Sequence, residues 1–261
     1  MSIAICHSLI SVIVQSLDKM EDNGIVYSKT IPFENKLFAF RALKQSLRHS
    51  YENWRIWYNY MIVSLDVGEI QEACRALSRL IELTADKAGP LVVDEDVLDR
   101  LVNAVTRAPP SFEDSVAENT NQAQNPNEGH GLYRSVLQLL KGTILPRMSS
   151  PRIFRAYARL LSWRREWEDA IKAYLDAYRC DAGQTTHESE TELEKWRAAV
   201  GNVEEIVDIL RNFGPKVEGY KWRLQARSII RTFTSRSRDF EDEPEWERVK
   251  LLQEDLCKDE R

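Results

Sequence analysis

Glycine and proline are scarce in this chain, with 10 and 9 occurrences among 261 residues. Folds built from many tight turns need more of both residue types, so the composition favours long helices. Cysteine is rarer still, and Cys6, Cys74, Cys180 and Cys257 are scattered along the sequence. Neither the cysteines nor the four histidines have the spacing of a zinc site. We expect Cys74 and Cys180 to be buried thiols rather than a disulfide.

The sequence lacks the short motifs of the common catalytic sites. It has no glycine-rich phosphate loop, no nucleophile elbow and no metal-binding His-Glu pair. One polar cluster, His187 with Glu188 and Glu190, lies in a polar stretch that favours a solvated surface. We therefore predict a protein that is not an enzyme and that uses no cofactor, metal or small-molecule substrate.

Neither charge nor hydrophobicity is concentrated enough to predict a nucleic-acid or membrane partner. The net charge of -5 at pH 7 argues against bulk nucleic-acid binding. Residues 1–17 are apolar, but they are too few to span a bilayer and lack the basic start of a secretory signal. We interpret this segment as a helix that covers the first repeat. A weak signal sequence and a wrongly assigned start are the alternatives.

The central pattern of the chain lies in residues 54–83, which predict two antiparallel helices joined by a tight turn. Trp57 fills the space between the helices, and Gly68 permits a turn with positive φ. Ala73 is small enough to let the two helix backbones approach closely. A Trp, a Gly and an Ala in this order fit the tetratricopeptide repeat.

Two further copies of the pattern lie at matching positions. The second copy, residues 154–177, repeats the signature with Phe154, Ala170 and Ala177, and Arg165 replaces the turn glycine. Residues 33–48 predict the second helix of an incomplete third copy. Because a single repeat cannot bury its own apolar faces, the copies predict an all-α fold, a right-handed solenoid of antiparallel helix pairs.

Residues 40–83 resemble the carboxy-terminal repeats of the tetratricopeptide repeat protein 27 family, and residues 154–181 are similar in the same order. Fungal members of that family are known for maintenance of the cell wall. The resemblance implies a scaffold for other proteins, located in the cytoplasm with the nucleus as a second location. It also implies work with the Hsp90-linked chaperone machinery that assembles large complexes, with the cell-wall effect as an indirect outcome.

The chain divides into three predicted parts. Residues 1–32 hold the apolar segment and a loop, residues 33–181 hold the repeats, and residues 182–261 form a helical cap. A polar insert at residues 108–131 has too little apolar surface to fold and is predicted to be a disordered surface loop. Further helices are predicted over residues 94–107, 132–145, 190–213, 217–238 and 246–257.

A partner-binding groove is predicted on the first helix of each good repeat, which the resemblance places on the concave side. In the second copy, Arg152, Arg155 and Arg159 share one helix face because they recur at helical spacing. The related residues of the first copy are Arg55, Tyr58, Asn59 and Ile62. Unpaired arginine in a groove binds carboxylates or phosphates, so acidic segments or chaperone machinery are the expected partners. A solvated arginine face is the alternative.

A second basic run lies in residues 221–238, where Arg223, Arg227 and Arg231 are four residues apart. Contact with RNA is one interpretation, and a helical-repeat protein associated with RNA processing is therefore the alternative function. A core helix with a charged outer face is the interpretation that we favour.

Overall fold

The computed structural model describes residues 33–85, 93–107, 129–183 and 191–258. These residues form ten α-helices, and no strand occurs within those ranges. Neighbouring helices pack in pairs, which confirms the predicted all-α repeat fold. The helices belong to two compact units, one that ends at Arg147 and one that begins at Met148. The predicted three-part division stays a prediction, and its first part lies outside the described residues.

Among the residues that the structure describes, the first unit contains five helices: α1 (Phe33–Leu47), α2 (Trp54–Val67), α3 (Ile70–Ala85), α4 (Glu95–Thr106) and α5 (Gly129–Leu139). A π-helical turn, Leu140–Ile144, continues α5. Helix α2 packs against α1 and α3, and α5 packs against α3 and α4. Each helix thus buries an apolar face that it could not bury alone.

The pair α2–α3 has the predicted geometry. Asn53 caps α2 by accepting a hydrogen bond from the backbone N–H of Arg55 at 3.1 Å. Gly68 ends the helix with a φ of 85°. Ala73 is fully buried where the helices meet, and the Nε1 of Trp57 donates to the carbonyl oxygen of Tyr51 at 2.7 Å. In the first copy, Gly68 therefore forms the turn and Ala73 packs between the two helices, as the pattern predicts.

Helices α4 and α5 form the next pair, and residues 108–128 between them lie outside the described residues. Asp94 caps α4, whose buried face is the predicted one: Val97, Leu98, Leu101, Val102 and Val105. Helix α5 begins at Gly129, inside the segment predicted to be a disordered loop. Burial of Leu132 and Tyr133, directly after these residues, stabilises the additional helical turn. The prediction was wrong for those few residues.

The second unit also contains five helices: α6 (Pro151–Trp163), α7 (Trp167–Gly183), α8 (Glu192–Phe213), α9 (Trp222–Arg236) and α10 (Pro244–Lys258). Pro151 stands at the first turn of α6, where its missing N–H costs nothing. Ala170 and Ala177 are fully buried, and Phe154 is half-buried. The second copy is therefore confirmed as a helix pair.

The core of the last helices forms around Trp196, which stacks on Phe240 and Phe233 with ring centroids 5.0 and 6.4 Å apart. Helix α8 begins with a capping box between Thr191 and Glu194. Helix α9 begins at Trp222, five residues later than predicted. The helix begins later because Gly219, with a φ of 73°, forms a turn directly before it.

The prediction of buried thiols fits Cys74 better than Cys180. Both Cys74 and Cys180 are free thiols. Burial raises the pKa of Cys74 to about 11, so it stays protonated at neutral pH. Cys180 is only half-buried, because it lies near the end of α7 rather than in its packed middle.

Candidate partner-binding site

In the first unit, the predicted groove residues lie on one face of α2. Arg55 and Tyr58 are exposed, whereas Asn59 and Ile62 are half-buried. The guanidinium of Arg55 lies 5.6 Å from the ring centre of Trp54, which is itself exposed. The start of α2 therefore presents a cation beside aromatic surface.

The other end of that face is closed by ion pairs. Asp66, one turn beyond Ile62, contacts Lys36 of α1 at 3.3 Å and Arg100 of α4 at 2.7 Å. These two contacts tie the three helices together at the end of α2. Partner contact on this helix is therefore expected near its start, around Arg55 and Tyr58.

The opposite side of α2 carries a structural network. The hydroxyl of buried Tyr60 donates to Glu72 of α3 at 3.0 Å, and Lys44 of α1 donates to the same carboxylate at 3.1 Å. The ring of Tyr60 stacks on Phe40, with centroids 5.2 Å apart. Partial burial alone would raise the pKa of Glu72, but the hydrogen bonds from Lys44 and Tyr60 outweigh it and lower that pKa. This network links α1, α2 and α3, with Tyr60 buried and Lys44 at the surface.

In the second unit, the three predicted arginines lie on α6 in different environments. Arg152 is exposed, whereas Arg155 and Arg159 are half-buried. The Nη2 of Arg155 contacts Asp181 of α7 at 2.5 Å and Glu205 of α8 at 3.1 Å. The expectation of an unpaired arginine was thus wrong for Arg155. Helical spacing places side chains on one face, but it cannot show which carboxylates the following helices bring to them.

A small cleft adjoins Arg155. Its walls are side chains of α7 and α8: Tyr174, Ala177, Tyr178, Asn202, Glu205, Ile206 and Ile209. The cleft is narrow, with an accessible volume of about 10 Å³. Small-molecule sites occupy about 300–1,000 Å³, so this cleft has room for about one water molecule and not for a cofactor.

Burial raises the pKa of the Tyr174 hydroxyl, although a hydrogen bond with Ser162 and the positive charges of Arg159 and Arg155 oppose that change. Two arginines of α6 therefore act on the same wall of the cleft.

The two groove faces occupy equivalent positions in their repeats. The offset that aligns Gly68 with Arg165 also aligns Arg55 with Arg152 and Tyr58 with Arg155. The first copy is thus aromatic at the position where the second copy carries its paired arginine. Arg55 and Arg152 are the basic residues that both copies share.

On α9, two arginines of the second basic run contact other residues of the second unit. The Nη2 of Arg227 donates to the carbonyl oxygen of Leu256 near the end of α10, at 2.7 Å. Arg223 lies over the ring of Trp222 at 5.2 Å. Ala226, Ile229 and Ile230 are buried in the core. These contacts fit the favoured interpretation of a core helix, and RNA contact remains an untested alternative.

Two structural findings concern other kinds of site. No helix in the described part of the chain is long and apolar enough to cross a membrane. Within the same ranges, no group of three or more His, Cys, Asp or Glu side chains could hold a metal ion. His187 and its acidic neighbours lie outside the described residues.

Comparison with known proteins adds a relationship. No family model matches the chain. It is 29% identical over 223 residues to a TPR repeat-containing protein of Schizosaccharomyces pombe, and 28% identical over 206 residues to a tetratricopeptide repeat-containing protein of Caenorhabditis elegans. The chain is thus similar to tetratricopeptide repeat proteins. These alignments cover 82% and 74% of the chain.

The name of a third relative refers to the cell wall. The Saccharomyces cerevisiae protein named essential for maintenance of the cell wall protein 1 is 24% identical over 225 residues, or 81% of this chain. The predicted family resemblance is confirmed. The chain matches 24%, 23% and 26% of the three relatives, about a quarter of their length. The relationship supports a protein-interaction scaffold.

Proposed function

We propose that this chain is a non-catalytic protein-interaction scaffold, and that the first helix of each of the two repeats, by itself, contacts an acidic segment of a partner. The supporting observation is that Arg55 and Arg152 hold the same position in two repeats and are both exposed. Guanidinium groups bind carboxylates and phosphates in a planar, bidentate geometry. The exposed rings of Trp54 and Tyr58 beside Arg55 offer apolar contact to the same partner.

The biological role that we propose is assembly of large complexes with chaperone machinery. The family resemblance suggests this role. We propose that the cell-wall maintenance named in the Saccharomyces cerevisiae relative is an indirect outcome of such assembly work. The proposed location is the cytoplasm, with the nucleus as a second location. Direct binding of the purified chain to purified Hsp90 tests the chaperone link, and absence of binding would contradict it.

Binding of the acidic segment is tested with a short fluorescent peptide rich in glutamate and a matched peptide with glutamine at the same positions. The double variant Arg55→Glu and Arg152→Glu should weaken binding of the glutamate peptide by about 1–3 kcal/mol. The effect should diminish as salt rises, since exposed charges are screened over about 8–10 Å.

The control for this experiment must change the net charge equally. Arg147 and Arg231 are also exposed but lie outside the first helices of the repeats, on the turn after α5 and on α9. The variant Arg147→Glu and Arg231→Glu should bind the glutamate peptide almost as the wild type does. Equal losses in both variants would mean that only net charge matters, and the proposed face would be wrong.

A further inference from the structure

We propose that the turn between α1 and α2, together with the start of α2, binds a phosphorylated residue of the partner's acidic segment. The residues of this phosphate corner are Arg48, Tyr51, Trp54 and Arg55. The inference rests on the proposed function and deepens it, because Arg55 belongs to the same face. It adds Arg48 as a second contact in the first repeat, and it names the ligand group as a phosphate monoester on a protein side chain.

The turn that joins α1 to α2 is held against its neighbours. The carbonyl oxygen of Tyr51 accepts the hydrogen bond from Nε1 of Trp57 at 2.7 Å, and the two rings meet edge to face with centroids 5.2 Å apart. The guanidinium of Arg79, on α3, lies 4.7 Å from the ring centre of Tyr51. A turn that is fixed before binding loses little entropy when a ligand arrives.

The carboxylate of the turn is used within the protein. Glu52 contacts Arg79 of α3 at 3.0 Å. Arg48 and Arg55, on either side of the turn, are both exposed. Among the residues that the structure describes, no carboxylate forms an ion pair with either of these two arginines. The turn therefore carries a cation on each side that can attract an anion from a partner.

Arg48 and Arg55 lie close enough to share one ligand. Arg48 follows the last residue of α1, and Arg55 is the second residue of α2. These two helices pack against each other, and packed helices lie about 8–10 Å apart. Two extended arginine side chains can together span such a distance. A single group can therefore contact both guanidinium groups.

Two guanidinium groups match a phosphate better than a carboxylate. A carboxylate has two oxygen atoms, and one guanidinium fork already occupies both. A phosphate monoester presents three oxygen atoms and about −1.5 to −2 charges at pH 7. It can bind a second arginine without displacing the first. Arg48 should therefore contribute to the binding of a phosphorylated segment, and little to the binding of a glutamate.

The aromatic rings beside the arginines favour a peptide over single-stranded RNA. Tyr51 and Trp54 are 53% and 39% exposed. An arginine lies over each ring, Arg79 over Tyr51 and Arg55 over Trp54. Bases stack on open ring faces, and one face of each ring is already covered. An apolar side chain of a peptide can instead pack along the exposed ring edges.

The test uses three forms of the fluorescent glutamate peptide that differ at one central position, which carries phosphoserine, glutamate or serine. The wild type should bind the phosphoserine form about five- to tenfold tighter than the glutamate form, and the serine form most weakly. Arg48→Gln should remove most of the preference for phosphoserine. It should leave the affinity for the glutamate form within about twofold of the wild-type value. Anisotropy titrations measure both ratios.

The matched control is Arg134→Gln. Arg134 is exposed on α5 of the same unit, and its replacement makes the same change in net charge. This variant should keep the preference for phosphoserine. An equal loss of the preference in both variants would mean that net charge alone decides it, and the inference would be overturned.

Further outcomes separate the inference from the proposed function. Equal affinity of the wild type for the phosphoserine and glutamate forms would overturn the inference. If the Arg55 and Arg152 variant still lost the glutamate peptide in that case, the proposed function would stand. Tighter binding of a single-stranded RNA oligonucleotide than of the phosphoserine peptide, lost in Arg48→Gln, would overturn the inference in favour of a nucleic-acid site. No binding of any peptide would overturn both.

Discussion

Gly68 and Arg165 adopt the same left-handed backbone conformation, with φ values of 85° and 64°. Each follows the first helix of its repeat and turns the chain into the second helix. The turn therefore requires the left-handed conformation in both repeats, although only one of the two residues is a glycine. Glycine adopts positive φ without a steric cost, whereas a residue with a Cβ does not.

Replacement of Arg165 by glycine should stabilise the second unit. Relief of the left-handed conformation should raise the free energy of unfolding by about 1 kcal/mol. The reciprocal change, Gly68→Arg, should lower it by a similar amount, although no atom lies within 4 Å of a Cβ placed there. Urea denaturation measures both values. A neutral Arg165→Gly variant would show that the contacts of the Arg165 side chain offset the strain.

Gly214 should tolerate no larger residue. A Cβ at this position would lie 2.3 Å from Cγ of Trp222, far inside van der Waals contact. We expect Gly214→Ala to lower the free energy of unfolding by about 1–3 kcal/mol through overpacking.

The matched control is Gly201→Ala on the exposed side of α8, where a Cβ meets nothing within 4 Å. It should stabilise the helix by up to about 1 kcal/mol, because alanine favours the helical state over glycine. Opposite signs from the same substitution would show that the close approach of Trp222 requires glycine. Two variants of equal stability would argue against that contact.

The helix pair α2–α3 could be predicted from the sequence because the features that define it are local. The cap at Asn53, the turn at Gly68 and the buried Ala73 each follow from residue type and helical spacing. The ion pair between Asp66 and Arg100 was not predicted, because a separation of 34 positions, about one repeat length, does not show that two side chains meet.

The environment of Arg155 could not be predicted in the same way. Its partners, Asp181 and Glu205, are 26 and 50 residues away on two other helices. The helix packing that brings them together depends on side chains throughout the unit. Helical spacing on α6 could show which arginines share a face, but not which of them the protein itself neutralises.

Tyr60→Phe should weaken the packing of α1, α2 and α3. The change removes the hydroxyl that donates to Glu72 while keeping the ring that stacks on Phe40. We expect a loss of about 0.5–1.5 kcal/mol in the free energy of unfolding. Tyr51→Phe, at an exposed tyrosine just before the same helix, should cost much less. Equal losses would mean that the hydrogen bond to Glu72 contributes nothing.

The same network predicts an acid dependence. The pKa of Glu72 lies below its ordinary value of 4.5 in the folded state, so its contribution to stability is present above pH 4.5. It is lost as the pH falls through the lower folded pKa. Denaturation curves at pH 6 and pH 3 should therefore differ less for Glu72→Gln than for the wild type. An equal difference would show that other groups cause the acid destabilisation.

Charge reversal on α6 should have a larger effect at half-buried Arg155 than at exposed Arg152. Arg155→Glu places a third carboxylate beside Asp181 and Glu205 and removes the cation that holds them. Because these groups are partly screened by water, the expected loss is about 1–2 kcal/mol rather than the larger cost of breaking a fully buried pair.

Arg152→Glu makes the same charge change on the same helix, but at an exposed position. It should therefore lower the free energy of unfolding by only about 0.5 kcal/mol, less than Arg155→Glu does. Thermal denaturation of the two variants at low and high salt measures the contrast. Salt should reduce the Arg155→Glu defect, since it screens the repulsion among the three carboxylates. If both variants melted with the wild type, the ion pairs of Arg155 would not contribute to the packing of α6 against α7 and α8.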